Sequence, residues 1–217
     1  MTAHPLPAGA IRMMRIGGLL YLAIIGFGLF AEFAVRMPLA GAGPAEIGAA
    51  AAMLRLGLTA DALMLAADVM LAVLLYGLFR AVDPVLALAA MAFRLIQAAM
   101  IGAGLMLMAG AVIAPIEGPW LMRTQALGYD LGLIFFGING GLMAWLLAGS
   151  GWAPRWLAPL LGLAGLVYLA GSFSALLAAR LNAALQPAYG LVLLAELAFA
   201  LWLLRARPRS ALPPQPG

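Results

Sequence analysis

Residues 85–113 read VLALAAMAFRLIQAAMIGAGLMLMAGAVI, an apolar run whose strongly polar side chains are Arg94 and Gln97. A hydrocarbon layer about 30 Å thick takes roughly 20 helical residues, because an α-helix rises about 1.5 Å per residue. The run is therefore long enough to cross a bilayer as one helix. Its guanidinium lies near the middle, where the insertion of one arginine into the membrane costs about 2.5–3.5 kcal/mol. Such a charge needs a partner inside the membrane.

The rest of the chain has the same apolar character. Of its 217 residues 66% are hydrophobic and 9% are charged, and its mean hydropathy is +1.08. Soluble domains carry about 25% charged residues. The sequence predicts an all-α fold, a single integral membrane bundle of six transmembrane helices, with spans at 16–35, 57–79, 85–112, 126–147, 156–178 and 188–204. Residues 43–55 are predicted to include a short helix at the membrane interface.

The arginines predict the orientation of the bundle. The chain has no lysine, and its arginines lie mostly at segment ends. Seven lie on the side of the N-terminus and four on the opposite side, so the positive-inside rule places both termini in the cytoplasm. We expect residues 1–14 to be an N-terminal extension, residues 15–205 the transmembrane domain, and residues 206–217 a disordered cytoplasmic tail.

Asp68 is the predicted partner of Arg94. The second and third spans form a hairpin that turns near Ala81, and Asp68 and Arg94 each lie thirteen residues from that turn. Antiparallel helices therefore place them at the same depth, where a carboxylate and a guanidinium can pair in a bidentate manner. Gln97 lies one turn further along the same helix face and would extend the network outward.

Four other acidic residues fall within the predicted spans. Glu196 lies nine residues before Arg205, about 13 Å into the membrane, and is a second candidate partner of Arg94. Three acids lie in the outer third and would form an outer acidic mouth. They are Glu32, Asp61 and Asp130, and arginines lie nearby in sequence. The alternative is structural: intramembrane ion pairs can simply fix helix packing, and we expect the outer acids mainly to reach the headgroups.

A weak internal repeat links the two ends of the chain. GGLLYLA at 17–23 resembles AGLVYLA at 164–170, and residues 65–80 loosely resemble residues 193–205. The first two spans would then correspond to the last two, with Asp68 matching Glu196. In a chain rich in alanine, leucine and glycine, such matches also arise by chance.

Several classes of chemistry lack the residues they require. The chain has no cysteine, no lysine and one histidine, His4, so no disulfide, thiolate, Schiff base or histidine-ligated metal site is expected within the membrane. We therefore predict no catalytic residue, cofactor or metal site, and no nucleic-acid partner. Paired intramembrane carboxylates are the enzymatic route left open. The segment GLIFFGINGG, residues 132–141, is predicted to serve helix packing.

Five segments in order resemble one family. They are RIGGLLYL at 15–22, FRLIQAA at 93–99, LGLIFFG at 131–137, GWAPRWLAPLLGLAGLVYL at 151–169 and AELAFALWLL at 195–204. Together they are similar to the bacterial multi-pass membrane family known as domain of unknown function 4386. The resemblance implies a protein of the bacterial cytoplasmic membrane and no particular activity.

Three functional hypotheses follow. The first is binding or transport of a small amphiphile, lipid or cation through the polar core of Asp68, Arg94, Gln97 and Glu196. The second is a structural or accessory subunit whose ion pairs specify packing. The third is an intramembrane enzyme that modifies lipids. The expected partners are membrane lipids and a small amphiphilic ligand, and the sequence does not define an oligomeric state.

Overall fold

The computed structural model describes residues 4–206, and this part of the chain is helical without strands. Six of its helical segments are long and apolar enough to cross a membrane, which confirms the predicted fold class. The α-helices are α1 (Ala10–Leu29), α2 (Pro44–Ala49), α3 (Ala51–Phe79), α4 (Pro84–Ile113), α5 (Gly118–Ser150), α6 (Leu157–Leu177), α7 (Ala179–Leu185) and α8 (Tyr189–Leu204). Helix α1 includes part of the predicted extension, and the predicted tail lies outside the described residues except for Ala206.

The six spans form a closed ring. Helix α1 packs against α3, α3 against α4, α4 against α5, and α5 against α6, while α8 closes the ring by packing against both α6 and α1. We call the end of the bundle that carries Ala10 and Leu204 the inner end, following the predicted orientation, which remains a prediction. The short helix α2 confirms the helix expected within residues 43–55.

A capped turn fixes the α3–α4 hairpin. The carboxylate of Asp83 accepts hydrogen bonds from the backbone N–H groups of Val85 and Leu86, both at 3.0 Å, and Pro84 occupies the first helical position. Both features favour a helix start, because they satisfy or remove backbone donors that have no partner within the helix. The start of α4, and hence its depth relative to α3, is thereby defined.

Glycines allow α5 and α6 to touch through their backbones. A Cβ atom added to Gly165 would lie 2.7 Å from the carbonyl oxygen of Gly137, and one added to Gly137 would lie 2.8 Å from that of Gly165. No larger residue fits at either position without a shift of a helix. The packing role predicted for residues 132–141 is therefore confirmed.

The first span changes its winding near its outer end. Residues Phe30–Arg36 continue α1 as a π-helical turn, which has wider i to i+5 hydrogen bonding and is frequent at functional sites. The turn carries Glu32 and Arg36. The change of winding was not predicted from the sequence.

The inner end is closed by large apolar side chains. Six of them are at most 2% exposed and come from α3, α5, α6 and α8: Leu78, Phe79, Leu146, Leu147, Leu157 and Leu203. The extension before α1 also folds onto this end. The backbone N–H of His4 donates to the carbonyl of Ser150 at 3.1 Å, and Trp152 Nε1 donates to the carbonyl of His4 at 2.8 Å.

Candidate functional site: a polar layer shared by all six spans

Every span contributes a polar or aromatic side chain to one layer of the bundle. These residues lie between eight and eleven positions from the inner ends of their helices, or about 12 to 17 Å at helical rise: Tyr21, Asp68, Arg94, Asn139, Tyr168 and Glu196. Antiparallel packing of helices with aligned inner ends brings these positions to one depth. We refer to this set as the polar layer.

Arg94 and Asp68 form the predicted ion pair at the centre of the ring. Arg94 Nε donates to Asp68 Oδ1 at 2.8 Å, and Arg94 Nη2 lies 2.5 Å from the same oxygen. Both residues are at most 3% exposed. The predicted bidentate geometry is wrong, because the two nitrogens approach one carboxylate oxygen instead of two. Nη2 is not aligned for a hydrogen bond and has no hydrogen-bond partner within residues 4–206.

Gln97 completes the environment of Asp68. With its amide nitrogen turned toward the acceptors, Nε2 donates to Asp68 Oδ2 at 3.0 Å and to the carbonyl of Arg94 at 3.3 Å. The amide orientation is assigned from this network. Because Oδ1 faces Arg94 and Oδ2 faces Gln97, both oxygens of Asp68 are engaged. The predicted extension of the network by Gln97 is thus present.

Two aromatic rings enclose the guanidinium. The Arg94 Cζ atom lies 5.2 Å from the ring centroid of Tyr21 and 5.0 Å from that of Phe136. Desolvated cation–π contacts contribute about 2 kcal/mol or more. Neither ring was predicted to contact Arg94, although counting residues from the helix ends places Tyr21 at the depth of Arg94.

Glu196 lies in the same layer but has a different partner. Tyr168 donates its hydroxyl hydrogen to Glu196 Oε1 at 2.9 Å, and Glu196 forms no ion pair with Arg94. The Tyr168 ring also packs edge-on against Phe136, with centroids 5.1 Å apart. Glu196 is therefore positioned by a phenol, and Phe136 connects its side of the layer to Arg94.

A small cavity lies between the two acidic sites. It measures about 20 Å³ and is lined by side chains from α1, α3, α4, α5, α6 and α8, including Tyr21, Arg94, Asn139, Tyr168 and Glu196. About 10–15 Å³ of such volume is enough for one water molecule. Asn139 lines it while donating through Nδ2 to the carbonyl of Ala90 at 2.7 Å. Asn139 therefore both lines the cavity and connects α5 to α4.

Two of the outer acids, Glu32 and Asp61, form a second, smaller cluster around Arg36. Arg36 Nη1 lies 2.6 Å from Asp61 Oδ2, and Arg36 Nε lies 2.8 Å from Glu32 Oε2. The guanidinium also lies 5.7 Å from the ring centroid of Tyr129. Arg36 therefore pairs with two of the three outer acids.

The three outer acids are not equivalent. Asp61 is 1% exposed and its Oδ1 has no hydrogen-bond partner within the described residues, whereas the side chain of Glu32 is 50% exposed. The expectation that Asp61 reaches the headgroups is therefore wrong, because α3 turns it into the bundle, toward Arg36. Asp130 is partly buried and makes no hydrogen bond or ion pair with residues 4–206.

These features define a multi-pass helical membrane protein with a buried ionic layer. The chain belongs to the family described as Domain of unknown function (DUF4386), which matches residues 16–206. No protein of curated function and no solved structure matches the chain.

Proposed function

We propose that this is a protein of the bacterial cytoplasmic membrane that binds a small cation in the polar layer and transfers it across the membrane. The cation is a proton, and Glu196 is the group that takes it. One observation carries the proposal: among the described residues, the layer holds two carboxylates and a single guanidinium.

The charge count singles out Glu196. Asp68 is offset by Arg94 and hydrogen bonded by Gln97, so that half of the layer is electrically balanced. Glu196 accepts one hydrogen bond, from the neutral hydroxyl of Tyr168. An isolated carboxylate in the hydrocarbon region costs several kcal/mol, and intramembrane acids commonly serve as proton relays. A proton bound at Glu196 neutralises the layer without any rearrangement of Arg94.

The size of the cavity favours a proton over a larger ligand. Pockets for small organic molecules measure about 300–1,000 Å³, whereas the space beside Arg94 and Glu196 is about 20 Å³. One water molecule fits there and could carry a proton to the carboxyl group. An amphiphile, or the lipid substrate of an intramembrane enzyme, would require the helices to separate.

Infrared spectroscopy of the reconstituted protein tests the binding step. A pH change should alter the C=O stretching band of a buried carboxyl group in the wild type, and Glu196→Gln should remove that change. Glu117→Gln is the matched control, because Glu117 is exposed at the start of α5. If Glu196→Gln leaves the band unchanged, Glu196 is not the proton site.

Vesicles that contain a pH-sensitive dye test the transfer step. With a potassium diffusion potential as driving force, the wild type should acidify or alkalinise the lumen faster than empty vesicles, and Glu196→Gln should abolish the difference. A wild type that moves no protons, although its carboxyl band responds to pH, would limit the function to binding.

A structural role is the second candidate, and a specific observation favours it. Both oxygens of Asp68 are engaged by groups of the chain itself, Arg94 and Gln97, and the bond from Asn139 to the carbonyl of Ala90 ties α5 to α4. In that case Arg94→Gln should reduce stability or assembly, and no carboxyl band should respond to pH in the wild type. The infrared experiment therefore separates the two candidates.

A further inference from the structure

A groove lies on the outside of the bundle at its inner end. It measures about 600 Å³ and is formed by the segment before α1 together with one face of α1. Its first wall carries Leu6 and Pro7, the opposite wall carries Arg12 and Arg15, and Leu19 belongs to its floor. No residue of the polar layer lines the groove, and its volume is within the range of small-molecule binding sites.

The first wall of the groove is held in place. His4 is bonded at its N–H to Ser150 and at its carbonyl to Trp152, as described above. Gly9 then has φ = 73°, a left-handed conformation that glycine adopts without strain, and it turns the chain into α1. Leu6 also packs against the main apolar core. The segment is therefore anchored at His4 and at Leu6 and can act as a rigid wall.

The opposite wall carries two uncompensated charges. Arg12 and Arg15 are exposed, and residues three apart on a helix are neighbours. Neither forms an ion pair with residues 4–206. The acidic residue in the turns at this end, Asp83, is used to cap α4. An anionic group placed between the two guanidinium groups would thus meet no competing carboxylate.

The floor of the groove is apolar and continues toward the centre of the membrane. Ile16 is 38% exposed and Leu19 is 61% exposed, while Met14, Gly17 and Gly18 on the opposite face of α1 are buried in the bundle. A hydrocarbon chain that runs along Ile16 and Leu19 would continue the direction of the helix. The order of groups, charged at the membrane surface and apolar below it, matches that of a phospholipid.

We infer that this groove binds one anionic phospholipid, whose phosphate lies between Arg12 and Arg15 and whose acyl chain lies along Ile16 and Leu19. The interaction does not depend on proton binding at Glu196. It explains why the segment before α1 is fixed against the bundle: displacement of that wall would open the groove. The class of ligand is an anionic lipid of the leaflet at the inner end, and not a free phosphate compound.

Native mass spectrometry of the full chain tests the inference. The protein is titrated in micelles with phosphatidylglycerol and, separately, with phosphatidylcholine of the same acyl composition. The wild type should retain phosphatidylglycerol preferentially. A basic residue near an anionic surface contributes roughly fivefold in affinity, so Arg12→Gln combined with Arg15→Gln should weaken phosphatidylglycerol binding about 25-fold and leave phosphatidylcholine binding nearly unchanged.

A matched double variant controls for general surface charge. Arg80→Gln combined with Arg205→Gln removes two exposed arginines from the same end without touching the groove, and it should keep phosphatidylglycerol binding within about twofold of the wild type. Equal losses in the two double variants would overturn the inference, as would equal retention of both lipids by the wild type. Circular dichroism checks that each variant is folded.

Glycerol 3-phosphate distinguishes a lipid from its headgroup. Because the inferred site also holds the acyl chain, this soluble compound should not displace phosphatidylglycerol at millimolar concentration. Complete displacement would show that the two arginines bind any phosphate and would overturn the assignment to a lipid.

Discussion

The two acidic residues of the polar layer each have a tyrosine from a neighbouring span, and they differ in how that tyrosine reaches them. On one side Arg94 lies between Tyr21 and Asp68, stacked on the ring and bonded to the carboxylate. On the other side Tyr168 donates directly to Glu196. Similar positions therefore give one balanced ion pair and one carboxyl group that has no cationic partner of its own.

Under the proposed function, the difference separates the group that stabilises the bundle from the group that binds the proton. The pair on α3 and α4 joins a hairpin whose turn is capped, so it is part of the packing. Glu196 lies on α8, which closes the ring. The contacts of α8 with α1 and α6 are less extensive than those between α4 and α5 or between α5 and α6. A change of charge at Glu196 can therefore be accommodated without breaking the hairpin.

Arg94→Gln should have the largest effect on stability. It leaves Asp68 buried without its cation, and removal of one partner of a buried pair costs about 3–5 kcal/mol. We expect the free energy of unfolding, measured by denaturant titration in mixed micelles, to fall by this amount. The variant that combines Arg94→Gln with Asp68→Asn should recover most of the loss, because neither charge remains unpaired. Failure of the double variant to recover would mean that the rings around Arg94, and not its charge, stabilise the hairpin.

The hairpin is the part of the site that sequence alone predicts well. Asp68 and Arg94 are equally distant from Ala81, and helical geometry converts that equality into a contact. The six spans are also predicted from the sequence, because their length is set by the thickness of the bilayer. The glycine segment 132–141 was also sufficient to predict close helix packing.

The partners of Glu196 and Arg36 could not be predicted in the same way. No short turn relates α8 to α6 in depth, since α7 and the residues before Tyr189 intervene, so the contact with Tyr168 depends on three-dimensional packing. Asp61 was expected at the headgroups because it is near the outer end of its span; the π-helical turn that carries Arg36 toward it has no sequence signal. The weak repeat did relate Tyr21 to Tyr168 and Asp68 to Glu196, and these four residues share one layer.

Asp68→Asn should be less harmful than Arg94→Gln. It leaves one guanidinium and one carboxylate, Glu196, in the layer, so the layer as a whole can still be neutral. The effects of Asp68→Asn and Glu196→Gln should therefore be coupled. The combined variant should lose about 0.5–3 kcal/mol more unfolding free energy than the two single variants lose together. The measurement is a double-mutant cycle of unfolding free energies. Simple additivity would mean that Glu196 is never ionised when Asp68 is absent.

Gly165→Ala should disturb the side of the layer that carries Tyr168. Its new methyl group would meet the carbonyl oxygen of Gly137 at 2.7 Å, and overpacking of this kind costs about 1–3 kcal/mol. Gly141→Ala on the facing helix is the control, because nothing lies within 4 Å of its added carbon. We expect the first variant to lower the midpoint of thermal unfolding and to shift the Glu196 carboxyl band, while the second changes neither. Equal effects would show that helix flexibility, and not contact, is what these glycines provide.

Tyr168→Phe should have the smallest effect on stability and a specific effect on Glu196. It removes one hydrogen bond, and interhelical hydrogen bonds in membranes are worth about 0.6 kcal/mol on average. The C=O stretching band of protonated Glu196 should move to higher frequency, because its oxygen no longer accepts a hydrogen bond. Tyr21→Phe is the matched variant from the other side of the layer: it keeps the ring beside Arg94 and should leave the Glu196 band in place. If Tyr21→Phe shifts the band as much as Tyr168→Phe, the two sides of the layer act as one network, and the separation between a structural pair and a proton site does not hold.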